Sequence, residues 1–411
     1  MKKLLIIGFV WPEPNSTAAG TRMMQLIELF KKSNYSIYFA CTASKTSNSH
    51  NLTNLAIQEI EITLNNSNFD TFIAELNPDI VLFDRYLTEE QFGWRVDEFS
   101  PNTLKILDTE DLHFLRKARH TAFKNNSEVS LNVLINETTK REIASIYRCD
   151  LTLIISEFEH QLLVNQFKID ASILHYIPFL LDEVCKETIH SYPTFKERTH
   201  FITIGNFKHE PNFQAVLYLK QVIWPLIRKQ LPQAQLHIYG AYATEKATQL
   251  NNAKEGFIIK GWCENLKTTF INAKVCLAPL QFGAGLKGKL IDAMLYGTPS
   301  VTTTIGAEAM HENLPWNGFI ENNPEKFADA AVELYLNEEK WTNFQQNGIE
   351  IINKCYSKLK HETDFINRID EVFENLNSHR LSNFNGLMLQ YHANKSTKYM
   401  SKWIEEKNKI T

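Results

Sequence analysis

The densest chemistry in this 411-residue chain lies between Val275 and Pro299. An apolar run, Val275–Pro279, leads through Leu280-Gln281-Phe282 into Gly283-Ala284-Gly285-Leu286-Lys287-Gly288-Lys289. A helical stretch through Asp292 follows and stops at Tyr296-Gly297-Thr298-Pro299. Gly283, Gly285 and Gly288 let a backbone approach a ligand closely. The helix start beyond them offers free N–H groups and a partial positive charge, both suited to phosphate. Lys287 and Lys289 add full charges that can stabilise negative charge as it develops on a phosphate leaving group. Asp292, three residues beyond Lys289 on the same helical face, can accept hydrogen bonds from ribose hydroxyls. Glycines that merely shape a turn, with solvated lysines, are the bland alternative; lysines inside the loop favour an anion site. No Lys-Ser or Lys-Thr pair follows the glycines, so a P-loop for ATP hydrolysis is not implied.

Weaker signals lie in the first half. After an initial apolar run, Trp11-Pro-Glu-Pro-Asn-Ser-Thr-Ala-Ala-Gly20-Thr21-Arg22 forms a loop with an anion-ready helix start and one arginine. Gly20 and Arg22 are its candidate site residues, against a purely structural loop. Asp108-Thr109-Glu110-Asp111-Leu112-His113 directly follows another apolar run, where sites form in open α/β sheets. Asp108 and Asp111 are candidate bases there, and His113 is a candidate site residue or a salt-bridged surface histidine.

The elements that must position these groups alternate. Short continuous Val/Ile/Leu runs read as buried parallel strands, and longer stretches of helical periodicity separate them. The first half predicts strands at Lys3–Val10, Ser36–Ala40, Ile80–Phe83, Leu104–Asp108 and Leu151–Ile155, with a helix over Thr21–Lys32. The second half predicts Phe201–Gly205, Gln235–Tyr239, Phe257–Lys260, Val275–Pro279 and Ser300–Thr304. The class is α/β, with two doubly wound sheets facing across one cleft. The polar stretch Leu181–His200 carries neither period, which divides the chain into a domain over 1–185 and a second over 195–375. A helical segment over 376–411 is expected to cross back to the first domain. Its run Gln390–Met400 mixes bases with aromatics. Peripheral membrane contact is one reading of that mixture; aromatics docked on the first domain are the expected one.

A formal charge of −4 gives no global pull toward nucleic acid. The six cysteines are scattered, without Cys-x-x-Cys or Cys/His ligand spacing, so free thiols in a reducing compartment are expected and zinc is not. The apolar run Leu4–Trp11 is short for a signal peptide and meets Pro12 and Pro14 at once. No later stretch approaches the ~20 apolar residues of a membrane span. A cytoplasmic protein without a transmembrane segment is the expectation. Gly8 is followed by Phe-Val-Trp-Pro and not by a dinucleotide-binding fingerprint, which disfavours a nicotinamide enzyme.

A resemblance sharpens the reading. Phe201-Ile-Thr-Ile-Gly205-Asn206-Phe207-Lys208-His209-Glu210-Pro211-Asn212 is similar to the start of the donor domain in family 4 (group 1) glycosyltransferases. In order come Leu231-Pro232 to Tyr239-Gly240, Gly261-Trp262, the lysine loop, and Thr303-Thr304-Ile305-Gly306-Ala307-Glu308. The resemblance implies the GT-B architecture, a nucleotide-sugar donor gripped by the second domain and an acceptor (glycan, lipid-linked or small molecule) on the first. It implies transfer with retention, no metal or other cofactor, and a role in polysaccharide biosynthesis. It places Lys208 at the donor diphosphate, Asp292 at the ribose and His113 at the donor sugar, with Gly205 and Gly240 among the donor-binding residues. One departure stands out: the family's Glu-x7-Glu pair would put its first glutamate at Ala284, and Asp292 replaces the second. A nucleotide-sugar 2-epimerase of the same fold and a non-catalytic sugar-nucleotide-binding protein are the alternatives.

Overall fold

A computed structural model describes residues 1–410. Seven strands form the first sheet: β1 (Lys3–Gly8), β2 (Ser36–Cys41), β3 (Gln58–Glu61), β4 (Ile80–Asp84), β5 (Leu104–Asp108), β6 (Leu151–Ile154) and β7 (Leu174–Tyr176). Their order is 3-2-1-4-5-6-7, and every pairing is parallel. Six strands form the second: β8 (His200–Ile204), β9 (Leu236–Tyr239), β10 (Phe257–Gly261), β11 (Ala273–Ala278), β12 (Ser300–Thr302) and β13 (Gly318–Ile320). Their order is 10-9-8-11-12-13, again all parallel. The central strands are apolar on both faces because helices cover both, so β1, β4 and β11 are almost wholly buried.

Strand order reverses between β1 and β4 in one sheet and between β8 and β11 in the other. Loops leaving the two strands at such a point diverge to opposite faces and open a crevice at the strand carboxyl ends. The loops after β1, β8 and β11 are therefore brought to the two switch points, and the sheets present these ends to one another.

Three strands have no counterpart among those predicted: Gln-Glu-Ile-Glu of β3 and the three-residue β7 and β13. Each lies at a sheet edge or next to it and carries no continuous apolar run. The helix expected over Thr21–Lys32 begins earlier, at Ala18, where Thr17 accepts from the Gly20 N–H as its cap.

The chain passes between the sheets twice, and the two passages are hydrogen-bonded together. Leu181 N donates to Tyr356 O and Lys358 N to Leu181 O, both at 2.9 Å. Asn353 brackets Val184 in the same way, accepting from its N–H at 2.8 Å and donating to its carbonyl at 3.1 Å. The return to the first sheet thus comes earlier than the expected residue 376. Helix Lys358–Glu374 already packs Phe365, Ile369 and Val372 into the core beside β1, with Phe365 edge-on to Phe30 at 5.7 Å. Burying such side chains is worth about 1.5–3 kcal/mol each, which fixes that helix to the first sheet. The last helix, Phe384–Ile410, then lies across helices Arg85–Phe99 and Glu137–Arg148 of the first sheet.

Candidate active site

On the second sheet, the loops after β8 and β11 are tied side chain to side chain. A Cβ on Gly205 would sit 2.7 Å from the Asn212 carboxamide. That carboxamide in turn accepts from Lys289 Nζ at 2.9 Å. Burial pushes the Lys289 ammonium down to about 8. Lys208 lies exposed at the loop tip, its ammonium 4.2 Å from the centre of the Tyr242 ring. Gly240 packs against the Gly205 carbonyl, 2.2 Å from where its Cβ would be, so both glycines hold these two loops together. Lys287 caps helix Gly288–Leu295. Its ammonium donates back to Gly285 O, and burial pushes it down to about 8 against the pull of Glu308. Asp292, one turn on, is pushed up to about 7 by burial.

This constellation meets the first sheet directly. A Cβ on Gly288 would come within 2.8 Å of Ala18 Cβ. The N-terminus of helix Gly288–Leu295 therefore abuts that of helix Ala18–Lys32, and two partial positive charges face one place. Gly20 is packed beneath the Glu13 backbone, 2.4 Å from where its Cβ would be. From the β9 side, Tyr242 Oη donates to both carboxylate oxygens of Glu13, at 2.9 and 2.7 Å. Gly285 takes a left-handed φ of 62° with Asp111 Cβ 2.9 Å from the place of its missing Cβ. The neighbouring Gly283 also has positive φ.

Two candidates are placed otherwise than the sequence suggested. Arg22 does not face the cleft. Its Nε and Nη2 donate to Asp108 at 2.9–3.2 Å, and its Nη1 donates to the Ile177 and Pro178 carbonyls. Arg22 is 1% exposed and Asp108 not at all, so neither is a phosphate ligand or a free base. They anchor the first crossover segment to β5, because a buried charge must be paired and hydrogen-bonded. Asp111 stays at the cleft but is engaged: Arg116 Nε lies 3.1 Å from its Oδ2 and His113 Nδ1 3.7 Å from its Oδ1. Burial raises its proton affinity, yet Arg116 and His113 outweigh it and hold the carboxyl below its ordinary value, the wrong direction for a general base at neutral pH.

His113 opens helix His113–Lys124, half-buried beside Tyr86. Glu142 accepts from the His113 and Phe114 N–H groups at 3.1 and 2.9 Å and lies 3.3 Å from His113 Nδ1. The ring is thus oriented through Nδ1, while no hydrogen bond to Nε2 is made among the described residues.

The same helix clamps the lysine loop. Arg119 makes a two-pronged pair with Glu308, at 2.8 and 2.7 Å, and donates to the Gly283 carbonyl at 2.8 Å. His120 and Phe123 stack on Phe282, and Arg116 Nη1 sits 3.2 Å from His209 Nε2. Glu159, on the helix after β6, accepts from Leu112 N at 3.1 Å and from Gly285 N at 2.8 Å. Its other oxygen has no partner among the described residues. Burial, with Asp111 nearby, pushes that carboxyl up to about 8.

Sequence reading missed Arg119, Glu159 and a further polar set. Asp84 ends β4, Arg85 follows it, and Glu110 lies beyond β5, all lining a pocket with Trp11 and Glu13. Arg85 and Glu110 adopt left-handed φ of 71° and 62°, strain of a kind that concentrates at functional sites. Asp84 Oδ1 is buried without a partner among the described residues. Burial raises the Asp84 and Glu110 carboxyls, opposed by Arg85. The readable signal was position, since Asp84-Arg85 directly follows the predicted strand Ile80–Phe83. Among the described residues no group of three or more His, Cys, Asp or Glu side chains is placed to hold a metal ion.

Comparisons with known proteins agree with this geometry. Residues 198–337, the stretch that holds the second sheet, match the family model described as glycosyl transferases group 1. No curated protein matches the chain. Solved structures similar to it include sucrose-phosphate synthase of Thermosynechococcus elongatus, with a TM-score of 0.69 at 14% identity over 91% of this chain and 100% of that one. S. aureus TarM, as a variant in complex with fondaparinux, alpha-GlcNAc-glycerol and UDP, gives 0.68 at 13% identity over 90% and 99%. Anabaena HepE in complex with UDP and glucose gives 0.64 at 10% identity over 90% and 100%. The fold is GT-B: two Rossmann-like parallel sheets facing across a cleft, with C-terminal helices returning to the first.

Proposed function

We propose that the chain is a glycosyltransferase that takes a sugar from a nucleoside diphosphate donor and passes it to an acceptor on the first-sheet side of the cleft. The observation that carries the reading is the Lys289–Asn212 contact beneath the paired N-termini of helices Gly288–Leu295 and Ala18–Lys32. Such a place favours a diphosphate and stabilises the charge it gains as the glycosidic bond breaks. The group 1 match over residues 198–337 supports it, as do the UDP complexes of TarM and HepE.

In this reading Lys208 and Lys289 hold the diphosphate. Asp292 receives the ribose hydroxyls, and His113, oriented by Glu142, offers Nε2 to the donor sugar. Lys287, turned back onto Gly285, supports the loop and adds charge. Transfer proceeds with retention by attack on the donor face that the leaving diphosphate occupies, with no enzymic nucleophile and no metal. The cations and helix ends do the work of a metal on the leaving group. The acceptor lies toward Asp84, Arg85 and Glu110, and the reaction takes place in the cytoplasm.

The test is thermal stabilisation by UDP, GDP, dTDP, ADP and their sugars, in the parent and in Lys289→Ala. A ligand of the folded state raises the midpoint with its affinity. One nucleotide series should stabilise the parent, with binding weakened about 10- to 100-fold in the variant, as for loss of a charged hydrogen bond. Indifference of the parent to every nucleotide overturns the proposal. Incubation with donor alone then separates transfer from epimerisation, because an epimerase converts its donor without an acceptor.

A further inference from the structure

The last helix, Phe384–Ile410, turns only one face to the protein. Gly386 lies so close to the Tyr147 carbonyl that a Cβ would stand 2.2 Å from it. Gln390 donates to Arg148 O at 2.9 Å, Ser401 meets Arg95 and Asn65 at 3.2 and 2.8 Å, and Glu405 accepts from Ser67 N at 3.0 Å. These contacts recur at helical spacing and are small or polar. The aromatics were expected to dock on the first domain. They do the opposite: Phe384 is 70% exposed, Tyr391 57%, Tyr399 64% and Trp403 60%, with Met388 and Met400 exposed among them.

The outward face has a definite chemistry. Lys395 lies over the Tyr391 ring at 4.2 Å and Lys407 over the Trp403 ring at 5.4 Å, so apolar rings and ammonium groups share one surface. Between Phe384 and Ile410 stand five lysines and two glutamates, on a chain whose net charge is −4. Lys398 turns inward to Glu98 and Lys409 pairs with Glu406, which leaves Lys395, Lys402 and Lys407 to the outward face. No acidic residue occurs from Phe384 to Ile404. Rings with a polar edge and lysines with long apolar stems are the side chains that settle at a boundary between apolar and aqueous phases. A second copy of the chain is a poor occupant. A two-fold contact centred on this stripe sets Lys395 and Lys402 against their own counterparts, and like charges repel.

We propose that the outward face of helix Phe384–Ile410 docks on an anionic lipid bilayer, lying in the headgroup plane with its aromatic side chains at the acyl boundary. No helix among the described residues is long and apolar enough to cross a membrane, so the contact is one of surface adsorption. Lysines near an anionic surface strengthen it and salt weakens it.

The experiment is co-sedimentation of the full chain with vesicles of phosphatidylcholine alone and of phosphatidylcholine with phosphatidylglycerol, at low and high salt. The parent should sediment with the phosphatidylglycerol vesicles, less so at high salt. Binding should fall about tenfold or more in Lys395→Glu/Lys402→Glu, because each reversed charge removes and opposes a surface attraction. Tyr399→Ser/Trp403→Ser should also lose binding, and Leu359→Ser, at an exposed leucine elsewhere, should not. Absence of parent binding to any vesicle overturns the proposal, as does equal binding by both double variants. So does a dimer in solution that the double variants dissolve while vesicles bind nothing.

Discussion

Arg119 and Glu308 belong to opposite sides of the cleft, yet they pair through two parallel hydrogen bonds at 2.8 and 2.7 Å, with the Gly283 carbonyl on the same guanidinium. One side chain of the first sheet thereby holds both ends of the segment that carries Lys287 and Lys289. Planar two-pronged pairing is what arginine does and lysine cannot.

Arg119→Lys is accordingly expected to behave much like Arg119→Ala. Each should weaken contact between the two halves by about 1–3 kcal/mol, less than a fully buried pair because both groups keep some solvent. Small-angle scattering should show a larger radius of gyration in either variant. An unchanged radius and unchanged nucleotide affinity count against the clamp.

Arg22→Ala is expected to act on stability. It leaves Asp108 charged and alone at zero exposure, a loss of about 3–5 kcal/mol for a broken buried pair. Denaturant unfolding reads this directly. A fully stable Arg22→Ala that no longer binds nucleotide would return Arg22 to the list of ligands.

Glu159 makes a pH-dependent joint. Its folded value is about 8, above its ordinary 4.5, so between those pH values the native state binds more protons than the unfolded chain. Stability then falls as pH rises. The contribution is complete below about 4.5 and gone above about 8. Glu159→Gln keeps an acceptor for Leu112 and Gly285 and cannot ionise. Its melting temperature relative to the parent should climb from pH 5 to pH 8, and parallel profiles would sink the assignment.

Gly288→Ala places a methyl group 2.8 Å from Ala18 Cβ, closer than two carbons pack. It is expected to spread the two helix ends and lower nucleotide affinity about tenfold, as for a misplaced charged contact. Ala18→Gly removes the obstructing methyl and should restore binding in the double variant. Calorimetric titration of both variants decides it.

What the sequence revealed follows from which forces are local. The buried strands and the loop Gly283–Lys289 could be read because apolar runs, glycines and charges announce themselves within a few residues. The roles of Arg22 and Arg119 could not. Both lie on helices in the first half with similar flanks, and only the sheet order decides that one meets Asp108 and the other Glu308. The strained backbone at Arg85 and Glu110 is equally silent, since neither residue type asks for positive φ. The return of the chain at Tyr356 was hidden because helix Lys358–Glu374 looks the same whichever sheet receives Phe365.

The paired crossovers at Leu181 and Tyr356 set the kinematics of the molecule. Two bodies joined by one flexible tether can bend, twist and slide; joined by two tethers stitched to each other, they retain one easy coordinate, rotation about the line of the stitch. Any opening of the cleft would therefore follow a swing of fixed path, its return bringing helices Gly288–Leu295 and Ala18–Lys32 end to end in the same register. Alignment of the two helix ends is written into the joint and need not be searched for at every closure.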